Sequence, residues 1–236
     1  MTQKWFHTGL LCSFVVLLSL LCGLTPDSSD ERASIRLWYG QQPFVLNDSA
    51  FLFDHDTIVF TELRFYLGHF ELLDSLGNVF WKSKEPYHLV DAEVPKSLLL
   101  NLPTTLPDSS YLRFHLGVDS ATSCSGAMGG DLDPTKGMFW TWNSGYINFK
   151  VEGRHAHCKS RNNEFEFHIG GYRKPNETVR EVVVPFHNGH SHIDIHIDVF
   201  LKNINLRKEH RVMSPGKRGA ELADQCRLMF KDVVDY

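Results

Sequence analysis

The chain has 236 residues, enough for one substantial domain; two globular domains would each be left with a thin core. With 42% hydrophobic, 12% aromatic and 22% charged residues it is not a disordered chain. A formal net charge of -4 and the lack of a Lys/Arg stripe argue against a nucleic-acid binder, and 13 histidines stand out against 24 Lys plus Arg.

In chain order, Lys4 and the apolar run Gly9–Leu24, followed by polar Thr25–Arg32, read as an export signal over residues 1–24. Such a core matches a secretory segment of roughly 7–15 apolar residues better than a membrane span of about 20. An uncleaved anchor is the competing reading. Cys22 is a candidate for lipidation, although Leu21 is bulkier than that processing prefers, so membrane contact would come only through such an N-terminal anchor. Without the leader, Cys124, Cys158 and Cys226 are left. In an oxidising compartment Cys124 and Cys158 are the expected disulfide, because both flank one aromatic segment in loop-like sequence. Cys226 then reads as a buried helical thiol.

From residue 34 to 205, period-two patterning dominates. Ile58–Leu73, the turn Asp74–Asn78 and Val79–Trp81 read as a hairpin. Tyr111–Val118, Tyr146–Val151 and Glu164–Ile169 alternate apolar and polar positions, and in His192–Val199 Ile193, Ile195, Ile197 and Val199 face in while His192, Asp194, His196 and Asp198 face out. Half-buried strands separated by turns predict an all-β fold, an antiparallel β-sandwich. Residues 206–236 form a C-terminal extension with one short helix: Ser214-Pro215 opens it, and Leu222, Ala223, Cys226, Met229 and Phe230 share a stripe. The Gly126–Gly130 stretch is no phosphate loop, since neither a helix pattern nor a Lys-Ser/Thr pair follows.

Met138–Tyr146 concentrates Met138, Phe139, Trp140, Trp142 and Tyr146. On an extended chain Trp140 and Trp142 share a face about 6–7 Å apart. Spacing alone favours a core plug; a redox-active aromatic site is the sharper alternative. Asp131 and Asp133 suit an Asx turn at Pro134 better than a calcium site. His168, running into Gly170-Gly171, and His115 are candidate metal ligands, since imidazole suits copper and zinc, though a lone strand histidine is more often structural. His187, His190, His192 and His196 form the densest cluster, in which His192 and Asp194 could bracket an ion. His155, His157 and Cys158 resemble a soft metal clip. There is no G-x-S-x-G elbow, H-E-x-x-H helix or CxxC, so no enzyme is expected.

The string GDLDPTKGMFWTWNSGYINFKVEG, followed by FEFHIGGY, resembles the MbnP-like family of periplasmic copper-binding proteins. FYLGHFELLDSLG, YHLVDAE and FHLGVDS agree upstream, and IDVF and RVMSPGKRGAELADQCRLMF downstream. The resemblance implies a β-sandwich exported with a dihaem peroxidase-like (MbnH-like) partner. That partner is associated with oxidising a tryptophan to kynurenine, and copper is held by histidines with such a modified residue. Carried onto this chain, Trp140 or Trp142 is the modified residue and His168 the foremost ligand. The His187–His196 cluster lies outside these motifs and supplies the alternatives of a general zinc or copper scavenger or, if the aromatics are only core, a secreted interaction module.

Overall fold

The computed structural model describes residues 33–48, 51–103, 105–143 and 145–234, which belong to one compact unit, Glu31–Tyr236. The expected export signal and Cys22 lie outside the described residues. The strands are β1 (Ala33–Tyr39), β2 (Gln42–Pro43), β3 (Leu52–Phe53), β4 (Asp56–Asp74), β5 (Val79–Lys82), β6 (Tyr87–Asp91) and β7 (Leu99–Leu100). They continue as β8 (Ser110–Leu116), β9 (Phe139–Trp140), β10 (Gly145–His155), β11 (Glu164–Gly170), β12 (Arg180–Pro185), β13 (His192–His196) and β14 (Arg211–Val212). Helices are α1 (Ser120–Cys124), α2 (Ile197–Leu201) and α3 (Lys217–Arg227).

The fold is all-β with a short C-terminal helix, as the patterning predicts. The larger sheet runs β12-β8-β4-β10-β11-β14, with β3, β5, β6 and β9 attached; the smaller runs β13-β1-β2, with β7 on β1. The sheets are mixed rather than purely antiparallel, because β1 pairs β13 and β11 pairs β14 in parallel. One apolar cluster joins them: Ile35, Leu37, Ile193 and Ile195 of the small sheet with Phe60, Phe65, Phe114, Phe149 and Phe167 of the large one. Strand β8 shows how the sequence writes this, burying Leu112, Phe114 and Leu116 and leaving Tyr111, Arg113 and His115 half-buried.

Three sequence expectations change. The inward alternation expected through Val199 stops at His196, because Ile197 begins helix α2 and still buries Ile197, Phe200 and Leu201. Pro215 lies outside α3, which starts after Gly216, yet Leu222, Ala223 and Cys226 are buried as their stripe requires, in the same cluster as the sandwich. Cys124 and Cys158 are free. Their separation explains this: α1 sits where Val118 N–H bonds the Asn148 carboxamide near the start of β10, whereas Cys158 follows the far end of that strand. Seven residues of strand from Asn148 to His155 span about 24 Å, several times the Cα separation of about 4.4–6.8 Å that a disulfide bridges.

A second, smaller core lies on the opposite face of β4. Tyr66 alternates with the main-core residues Phe65 and Leu67, and it packs with Tyr87, Leu89, Val118, Leu132, Met138, Trp140, Tyr146 and Ile147. Met138 and Trp140 are buried here, and the Tyr146 hydroxyl donates to Leu132 O at 3.0 Å and accepts from Met128 N–H at 3.0 Å. The Trp140 ring rests on Gly170, where an added Cβ would meet it at 2.7 Å.

Candidate metal centre

At the end of this smaller core, the long strand β4 bends. Its register with β8 shifts between Gly68 and Glu71, and His69 adopts a left-handed φ of 54°. Gly68 permits the bend to close against β6, since a Cβ there would lie 2.6 Å from the Tyr87 ring and 2.8 Å from Pro86 O. The bulge re-aims one side chain. His69 is thereby turned towards His115 of β8, with ring centroids 5.2 Å apart.

The two imidazoles have different surroundings. His69 Nε2 lies 2.9 Å from Asp119 Oδ2 and 3.1 Å from the Tyr87 hydroxyl, and the Tyr87 hydroxyl also donates to Asp119. Asp119 caps α1 by accepting the Thr122 N–H at 2.8 Å. Burial alone would raise its carboxyl, but the bonds from Tyr87, Thr122 and His69 outweigh burial and hold it down at about 2. His115 Nδ1, in contrast, is buried and has no hydrogen-bond partner. Burial first, and then the neighbouring His69, push His115 below its ordinary value, which favours the neutral, lone-pair-bearing ring.

The remaining sequence candidates fall elsewhere. His168 is buried on β11, in register with Lys150, and its Nε2 is hydrogen-bonded to Glu152 Oε1 at 2.7 Å, beside the Lys150–Glu152 ion pair; the ring is thus taken up in a charged ladder. Trp140 and Trp142 remain neighbours, with centroids 5.6 Å apart, but not on one strand face. β9 stops at Trp140, and Trp142 in the following turn is 65% exposed. Asp194 is held by Arg36 at 2.6 and 2.7 Å and by Trp38 at 2.9 Å, so it does not bracket an ion with His192, whose Nε2 is 3.9 Å away. His190 and His192 have ring centroids 4.4 Å apart. In the His155–Cys158 clip burial raises the Cys158 thiol to about 11, which leaves it protonated. Asp133 accepts from Thr135 in the expected Asx geometry, and Asp131 is taken by Lys136 and the Leu89 N–H, so neither is free for calcium.

Among the described residues no group of three or more His, Cys, Asp or Glu side chains is arranged to hold a metal ion. The His69–His115 corner brings two imidazoles together, one of them with a buried nitrogen that has no partner. Metal–imidazole bonds of about 2.0–2.1 Å would put two rings on one ion at roughly this separation, and a bound ion would give the costly orphaned nitrogen a partner. The sequence did not single out His69, which reads as one residue in an alternating strand; only the bulge after Gly68 turns it to His115. Gly68 directly before His69 within a long strand pattern was the available hint, since a glycine inside a strand often marks a bulge.

Comparison with known proteins agrees with this architecture. A solved structure, MbnP from Methylosinus trichosporium, matches with a TM-score of 0.50 and 14% identity, covering 75% of this chain and 78% of that one, which shows a shared fold. The family model MbnP matches residues 33–214, and the chain belongs to that family. No curated protein matches it significantly. Among the described residues no helix is long and apolar enough to cross a membrane.

Proposed function

We propose that this chain is an exported, non-enzymatic copper-binding protein that holds the metal through His69 and His115. The observation that carries the reading is the buried, partnerless His115 Nδ1 beside a second imidazole 5.2 Å away. Nitrogen ligands of this kind suit copper. Tyr87 and Asp119 orient His69 from behind, as outer-shell partners of metal-bound histidines do. The MbnP family match supports copper as the metal through the resemblance described above.

A two-imidazole site calls for a further ligand, and an oxidised tryptophan (kynurenine) remains the family-derived candidate for one. Of the two tryptophans, exposure favours Trp142 as the residue that a dihaem peroxidase-like partner would oxidise, with the partner supplying the oxidant. The buried Trp140 would then serve the smaller core. Copper equilibrium dialysis of the wild type and of His69→Ala/His115→Ala tests the ligand pair; retained stoichiometry and affinity in the double variant would remove it. Peptide mass mapping after co-expression with the partner tests the oxidation, expected on the Trp142 peptide and absent without the partner.

A further inference from the structure

The loop after β11 builds a groove beside the aromatic turn. Gly171 takes a φ of 138°, and a Cβ there would meet Asn176 O at 3.0 Å and Pro215 at 3.2 Å, so a glycine lets these segments close together. Thr178 locks the base of the loop. Its N–H and its hydroxyl both donate to Gly171 O, at 2.9 and 3.1 Å, and the buried Asn148 amide donates to that hydroxyl at 2.8 Å. Asn176 N–H closes the tip on Arg173 O at 3.0 Å. The groove has a volume of about 130 Å³. Tyr172, Arg173 and Lys174 line it from the loop, Asn143 from the turn after β9, and Pro215-Gly216 from the segment ahead of α3.

Two features give the groove its chemistry. Arg36, Arg64, Arg113, Arg180 and Arg218 each hold a carboxylate, but among the described residues Arg173 and Lys174 hold none, and no acidic side chain lines the groove. Both cations are exposed. The Arg173 guanidinium is nevertheless placed: its Cζ lies 5.4 Å over the Tyr172 ring, and its Nη2 is 3.5 Å from the Tyr172 hydroxyl. The second feature is Trp142, directly before Asn143 and 65% exposed. Its ring lies 5.6 Å from that of Trp140, which rests on Gly170 at the start of the same loop. The indole thus stands beside the groove.

We propose that this groove and Trp142 form a docking surface for an acidic segment of a protein partner. The chain carries a net charge of -4, so its overall field repels such a segment and the local pair of unpaired cations must recruit it. A planar guanidinium takes a carboxylate by two parallel hydrogen bonds, and the lysine takes a second as a point charge. Tryptophan, tyrosine and arginine are the side chains that concentrate binding energy at interface centres. A free small carboxylate would engage the cations and leave Trp142 uncovered; a peptide segment covers both. The pinned loop is ordered before binding, which lowers the cost of association. Neither His69 nor His115 enters, so the inference stands apart from the copper reading.

Fluorescence anisotropy of a labelled decaglutamate peptide, titrated with the full chain at low salt, tests the surface. The wild type is expected to bind, with an affinity that falls as salt rises. Arg173→Glu/Lys174→Glu should bind at least ~10-fold more weakly, and Trp142→Ala about fivefold more weakly. Reversing two exposed lysines on either side of β6, Lys84→Glu/Lys96→Glu, should leave the affinity within about twofold. The His69→Ala/His115→Ala variant should bind the peptide as the wild type does, so failure of the copper centre and failure of this surface are read separately. No binding by the wild type at low salt would overturn the proposal, as would unchanged affinity in a folded Arg173→Glu/Lys174→Glu variant or an equal loss in the Lys84→Glu/Lys96→Glu control. Glutarate as a competitor decides the occupant: it should displace the peptide only weakly, and displacement at the peptide's own affinity would make the groove a small-carboxylate site and sink the docking surface.

Discussion

Two close histidine pairs occupy opposite ends of the large sheet's chemistry. His155 and His157 have ring centroids 4.7 Å apart, closer than the 5.2 Å of His69 and His115. Yet every ring nitrogen of the first pair has a partner. His155 Nε2–H donates to Phe53 O at 2.9 Å, and its Nδ1 accepts the His157 N–H at 3.2 Å. His157 Nδ1 pairs with Asp54 at 2.8 Å, and its Nε2 accepts from Arg207 at 2.6 Å. In the second pair, His69 is anchored but His115 Nδ1 is buried and left over. Proximity of two imidazoles therefore leaves nothing to coordinate with when every ring nitrogen is already bonded; an unpartnered nitrogen beside a second ring is what distinguishes the His69–His115 pair. A buried nitrogen without a partner carries a desolvation penalty that a bound ion would remove.

The largest expected effect breaks this contrast directly. His115→Ala should weaken copper binding by more than the ~10–100-fold that an outer-shell change costs, whereas His155→Ala should leave it within about twofold; a competition assay with a copper chelator reads both. If His155→Ala is the variant that loses copper, the comparison is inverted and the site lies at Cys158 instead. Next in size, His155→Ala should destabilise by about 1–3 kcal/mol in urea unfolding, because it leaves Phe53 O and the His157 N–H without partners in a buried corner. Asp119→Asn should cost about tenfold in copper affinity, by loosening the His69 ring it orients. The Asn amide oxygen can still accept the Thr122 N–H, so the α1 cap and the melting temperature should change little, which separates ring orientation from stability. Smallest, His168→Ala should change copper affinity by less than about twofold while breaking its Glu152 pair. A large loss there would return the ligand role to the charged ladder of β11.

Much of the fold was legible because strand burial is written locally. Leu112, Phe114 and Leu116 alternate with Arg113 and His115 in the sequence and in the structure, and the stripe of Leu222, Ala223 and Cys226 buries as written. The aromatic segment was legible in part. Met138, Trp140 and Tyr146 do fill a core, but a two-residue strand and a turn send Trp142 outward, where an extended chain would have kept it beside Trp140 on one face. His115 was picked out as a candidate; its partner was not. Pairing His69 with His115 needs the β4 bulge and the β4–β8 register, both products of strands 46 residues apart in sequence meeting side by side.

The sequence by itself determined the all-β class, the inward faces of most strands, the helical stripe near the end and, through its long aromatic string, the MbnP resemblance that the family match established. Side-chain periodicity and residue identity are local properties, and they survive without knowledge of the rest of the chain. Tertiary structure alone decided which nitrogens are left unpaired. It kept Cys124 and Cys158 at different ends of β10, spent Asp194 on Arg36 and satisfied the His155–His157 pair. It also left His115 Nδ1 alone beside His69. Hydrogen-bond satisfaction depends on which distant segments meet, and that information enters only when the sheets close.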